Sequence, residues 1–123
     1  MKHFSSILIT ALTVGWLAIG CAEKIKVETA KLEQSFQSAP AMKADADKAA
    51  AAIKTGDYAG AVASLKKVVA AGALTPEQKD AVVTAITGMQ MVAAQNPNKY
   101  PLDVYQALSD LVGLANGQQP ITK

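Results

Sequence analysis

Chemistry in this chain has one conspicuous candidate, Cys21, the only cysteine of 123 residues. It stands in Leu17-Ala18-Ile19-Gly20-Cys21-Ala22-Glu23-Lys24, where an uncharged run beginning at Phe4 gives way to a charged chain. A single thiol cannot close a disulfide within the chain, so its placement needs another explanation. The other groups that could react are carboxylates, and paired carboxylates can run acid–base chemistry, as in glycoside hydrolysis. Here the pairs are poorly arranged. Asp45 and Asp47 lie two apart and point to different sides of a helix. Glu77 and Asp80 share a face, but in the first turn of a predicted helix, where acids complement the positive end of the helix dipole.

The missing residue types are equally informative. The single histidine is His3 and the single tryptophan is Trp16, both inside the N-terminal run, and the chain has no arginine. Histidine is the usual general base near neutral pH and the commonest metal ligand. Arginine is the preferred bidentate clamp for phosphate and carboxylate. Without them, and with the one thiol otherwise engaged, the expectation is a protein that is not an enzyme and uses no cofactor or metal. Lysines and acids nearly balance, with a net charge of +2, one unit of which is Lys2. A near-neutral chain without arginine lacks the footprint of a nucleic-acid binder. Lys66-Lys67, the only adjacent basic pair, is explained by a solvated helix face. Interaction candidates are the three tyrosines, Tyr58, Tyr100 and Tyr105, because tyrosine is enriched at interface hot spots. Turn and core packing is the stronger reading of Tyr58, and core packing that of Tyr105. Tyr100, between Lys99 and Pro101 in a loop, is expected to be the most exposed.

The N-terminal run positions the cysteine. Met1-Lys2-His3 precedes an apolar segment that extends to Gly20, the pattern of a secretory signal. A membrane span needs about 20 apolar residues, which makes this one marginal as a span. Leu17-Ala18-Ile19-Gly20-Cys21 resembles the lipobox of bacterial lipoproteins, with Ala18 where leucine is usual. The resemblance implies cleavage between Gly20 and Cys21, a thioether-linked diacylglycerol on Cys21 and acylation of the new amino terminus. It places the protein in the cell envelope, anchored by lipid, and facing the periplasm from the outer membrane if the cell is Gram-negative. Two alternatives stay open: ordinary signal cleavage after Ala22 with release of a soluble product, and an uncleaved anchor.

Beyond residue 20 the chain reads as helices with short breaks, and the expected fold is all-α, a small antiparallel bundle of about five helices. The domain plan is a signal over 1–20, a lipid-anchored helical segment over 21–40, a helical domain over 41–117 and a tail over 118–123. Glu23–Gln37 places Ile25, Leu32 and Phe36 on one side. Pro40 breaks that pattern and can open the next helix. Ala41–Lys54 carries Met42, Ala46, Ala49 and Ile53 in a stripe. Gly56 suits a left-handed C-terminal position and Asp57 the next N-cap. Tyr58–Ala71 repeats apolar residues at helical spacing through Ala61, Val62, Leu65 and Val68. Thr75-Pro76-Glu77-Gln78 is a capping-box start for a helix over Pro76–Gln95, with Gly88 marking a close helix crossing. Pro101–Ala115 presents Leu102, Tyr105, Leu108, Leu111 and Ala115.

Residues 49–69, AAAAIKTGDYAGAVASLKKVV, resemble a tetratricopeptide-repeat hairpin. Ala49 and Ala52 take the small positions, Gly56-Asp57-Tyr58 the turn, and Ala61, Leu65 and Val68 the second helix. The early aromatic of that family is absent, with Asp45 about there. The resemblance implies a module that binds a partner, here an unidentified envelope protein. Two further expectations stand beside it. A small lysine- and alanine-rich lipoprotein ending in Lys123 slightly resembles those that tether membrane to cell wall, although sustained heptads are absent. Alanine-lined helices could also enclose a small apolar ligand, but such stripes usually mean tight packing.

Overall fold

The computed structural model describes residues 26–118, and residues 1–25 and 119–123, which include Gly20, Cys21, Ile25 and Lys123, lie outside it. Five helices follow one another: α1 (Ala30–Ser35), α2 (Pro40–Thr55), α3 (Tyr58–Ala70), α4 (Pro76–Gln95) and α5 (Leu102–Ala115). No strand occurs among the described residues. The expected all-α bundle is what forms. The main packed pairs are α1–α2, α2–α3, α3–α5, α5–α4 and α4–α1, so the helices close a ring around one core.

Local sequence explains most of the helix ends. Pro40 opens α2, where its missing N–H costs nothing. Gly56 ends α2 at φ 80°, with Asp57 N–H donating to Ala52 O at 2.9 Å and Gly56 N–H to Ile53 O at 3.1 Å. Gly117, also at φ 80°, closes α5 in the same way through Gln118 N–H to Gly113 O and Gly117 N–H to Leu114 O. Both are Schellman closures, and both need the left-handed backbone that glycine adopts without strain. Asp57 caps α3 by accepting from Gly60 N–H at 2.9 Å. Thr75 and Gln78 form the full capping box of α4.

The first helix is the main difference from the sequence pattern. Of the helix expected over 23–37, the described part is helical only over Ala30–Ser35, and 26–29 run without helical structure. Tertiary packing decides this. Val27 lies against Gly88 of α4, where a Cβ on that glycine would stand 3.1 Å from the Val27 Cγ1. Gly88 therefore marks a close approach, but by a non-helical strap instead of a crossing helix. Leu32 and Phe36 are fully buried, so α1 packs onto the body through the core and does not stand away as a stalk.

The core is built largely from small residues. Ala46, Ala49, Ala50, Ala61, Ala81 and Ala85 are buried among Leu65, Ile86, Met89, Leu108 and Leu111. On α5 the buried line is Leu108, Leu111 and Ala115 with Val104 packed beside it. Leu102 and Tyr105, expected in the inward stripe, fall on its flank and remain 70% and 39% exposed. The cause is register: a helix covers Val104 and Leu108 one turn apart, and 102 and 105 then turn toward the rim.

Candidate functional site

At one end of the bundle the C-terminal turns of α2 and α4 come together beside the strap of residues 26–30. They border an open cleft of about 1470 Å³. Its polar groups include Lys26, Lys54, Lys99, Glu28, Glu33 and Asn96, and its aromatic wall is Tyr58 with Tyr100.

The wall is assembled from two distant parts of the chain. Tyr58 is the first residue of α3, placed by the Gly56–Asp57 turn. Tyr100 closes the loop after α4, fixed by its own N–H bond to Asn96 O at 3.0 Å. The two rings stack, with centroids 4.5 Å apart and planes 13° from parallel. Tyr100 O–H donates to Gly56 O at 3.1 Å, across 44 residues of sequence. That bond satisfies a carbonyl at the helix end while leaving the ring packed. Burial, and then the neighbouring Tyr100, push the Tyr58 hydroxyl up to about 12. At neutral pH it is therefore a neutral group and not a nucleophile.

The lysines differ from one another. Lys54 Nζ pairs with Glu33 Oε1 at 2.6 Å, joining α2 to α1. Lys99 Nζ lies 5.3 Å from the centre of the Tyr100 ring, in cation–π range. It also crowds the Gly56 turn, 3.3 Å from where a Cβ would be. Lys99 takes part in none of the three ion pairs among the described residues. Chemically the cleft offers ammonium donors and two carboxylates above a buried aromatic pair, a set suited to holding a polar segment.

The structure brings two of the three tyrosine candidates together and separates the third. Tyr100, expected to be the most exposed, is only 8% exposed, because its ring packs on Tyr58 and its hydroxyl is used internally. Tyr58 is 5% exposed. Tyr105 stands away from the cleft on the rim of α5. Of the four carboxylates weighed as pairs, two are held by lysines. Asp47 is paired with Lys43 at 2.7 Å, and Asp80 with Lys31 of α1. Among the described residues no three of His, Cys, Asp and Glu cluster as metal ligands. The Gly56–Tyr100 contact is what the sequence does not disclose, since nothing in the spacing ties a turn at 56 to a loop at 100.

The chain matches no protein-family model, no curated protein and no solved structure.

Proposed function

We propose that this protein is a lipid-anchored, non-enzymatic interaction or scaffold module of the cell envelope. The observation that carries the proposal is the position of the only cysteine, directly after Leu17-Ala18-Ile19-Gly20 and at the end of an apolar leader. On this reading the chain is cut between Gly20 and Cys21, the sulfur carries diacylglycerol, and the new terminus is acylated. Each buried methylene contributes about 0.8 kcal/mol, and anchoring becomes stable once two or more chains insert.

The helical body supplies the binding part. Its hairpin over residues 49–69 resembles the tetratricopeptide unit, which supports a role in holding a partner protein. The cleft at the ends of α2 and α4 is the surface that favours a polar peptide segment. Lys99 is the group there best placed to meet a carboxylate, because Tyr100 orients it and none of the described ion pairs engages it.

Intact mass spectrometry of the protein from the membrane fraction tests the anchor. The expected species begins at Cys21 and carries added acyl mass, and Cys21→Ser moves the protein out of that fraction. A soluble product beginning at Glu23 with no added mass overturns the anchor. Affinity capture from envelope extracts tests the cleft. A partner that persists with Lys66→Glu and is lost with Lys99→Glu supports it. A partner retained by both variants, or lost by both, places recognition elsewhere.

A further inference from the structure

Charge is unevenly distributed over this bundle. Helices α2 and α3 carry Lys43, Lys48, Lys54, Lys66 and Lys67. Helix α4 carries its charges, Glu77, Lys79 and Asp80, in its first five residues and none from Ala81 to Gln95. Its outward side is nonetheless solvent-facing, with Thr84, Thr87 and Ala94 exposed and Met91 49% exposed. The seam with α5 is marked by Gln90 Nε2 donating to Ser109 Oγ at 3.1 Å. One turn before Ser109 stands Tyr105, and Leu102, the most exposed large apolar residue among those described, lies a further turn along. Asp103 and Asp110, the acids of α5, sit about 100° around the helix from that line. An uncharged face with Met91, Tyr105 and Leu102 thus covers α4 and the adjoining edge of α5, while the opposite side of the ring is lysine-rich.

The strap leaves the body on this same face. Val27 lies on Gly88, and Lys26 and Glu28 border a notch with Thr84, Thr87 and Met91. Lys26 follows Cys21 by only five positions, a length of chain that spans at most about 18 Å. Were Cys21 held in lipid, this side of α4 would be kept within that distance of the headgroups.

We propose that the uncharged face of α4 and the α5 rim lies against the bilayer surface that anchors Cys21. The proposal rests on the acylated-anchor reading above. Moving this face to the headgroup region strips water from few ionised groups, Glu28 of the notch among them, whereas the α2–α3 side would have to desolvate five lysines together with Asp45 and Asp47. Tyrosine is favoured at that depth because its ring is apolar and its hydroxyl stays wet. Lys26 flanks the face, where its ammonium group can meet lipid phosphates. The body then lies on its α4 side, and the cleft at its end opens sideways along the membrane.

Tryptophan reporters test this, since the only native one, Trp16, precedes the expected cleavage point. Met91→Trp, Leu102→Trp and, on the far side, Ala63→Trp are each introduced into the full chain. The processed proteins are reconstituted in phosphatidylethanolamine–phosphatidylglycerol vesicles with and without brominated acyl chains. Intact mass first establishes whether Cys21 is acylated. The expected result is that emission from the Met91→Trp and Leu102→Trp variants falls by about half in brominated vesicles, while that of Ala63→Trp is unchanged. Acylated protein in which all three variants respond alike, or none does, overturns the proposed face and leaves the anchor standing. Emission from Met91→Trp that follows protein concentration instead of bromine content overturns it in favour of a second copy on this face. Protein without acyl mass overturns the anchor and the proposal together.

Discussion

Tyr100 shows how one side chain can serve structure where a surface role was expected. Its hydroxyl is the only side-chain group bonded to the Gly56 carbonyl among the described residues, and its ring covers Tyr58. Tyr100→Phe keeps the stack and removes the bond, so it is expected to cost about 1 kcal/mol in urea unfolding. Tyr100→Ala also removes the ring and should cost about 3–5 kcal/mol. Equal costs for the two variants would show that the stack contributes nothing. The pair also gives a pH signature. With the Tyr58 hydroxyl raised to about 12 in the folded chain and near 10 when unfolded, the unfolded state loses its proton first as pH rises. The stability linked to that proton is complete below pH 10 and declines from pH 10 toward 12. Tyr58→Phe should match the parent at about pH 8 in urea titrations and lose less between about pH 10 and 12. Parallel losses in that window would mean the hydroxyl is not perturbed.

Helices were largely legible in the sequence because their ends are written in short-range chemistry. Pro40, Gly56, Asp57 and the Thr75–Gln78 box act within four residues, and each does what its residue type favours. The first helix was not legible, since its length is set by Val27 meeting Gly88, 61 residues away in the chain. Tyr100 is hidden for the same reason: its chain neighbours point to exposure, while its partners, Tyr58 and Gly56, come from a distant turn. Gln78 carries both kinds of information. Its side chain accepts from Thr75 N–H at 3.0 Å to complete the box, and also donates to Ser35 O at 3.2 Å, holding the end of α1. Thr75→Ala should therefore cost about 1 kcal/mol, a capping loss confined to α4. Gln78→Ala is expected to cost more, about 2 kcal/mol, because it also leaves Ser35 O without that donor. Hydrogen exchange separates the two: Gln78→Ala speeds exchange at residues 31–36, and Thr75→Ala leaves them unchanged. Faster α1 exchange in both variants would show that the cap itself, not the tie, holds α1.

For the molecule as a whole, two candidates compete as the source of stability, the ion pairs and the small-residue core. Two of the three described pairs bind α1, through Asp80 on α4 and Lys54 on α2. All three are at the surface, with side chains 38–62% exposed. Exposed pairs are typically worth about 0–1 kcal/mol each and weaken as salt shortens the Debye length from about 10 Å at 0.1 M to about 3 Å at 1 M. The core is different. Ala46, Ala49 and Ala50 on α2 and Ala61 on α3 are all 0% exposed, and α2 and α3 pack along each other, so the core around these positions has little room for a larger side chain. The vulnerable substitutions there enlarge a residue. Ala49→Leu should destabilise by about 1–3 kcal/mol or more, because the added carbons must force α2 and α3 apart. Raising salt from about 0.1 to 1 M should change the parent by less than about 1 kcal/mol, since only screened surface pairs respond. Urea unfolding of both proteins at both salt concentrations decides between the two sources. A parent that loses several kcal/mol in high salt while Ala49→Leu unfolds like the parent would mean that charges, and not close helix contact, hold the ring closed.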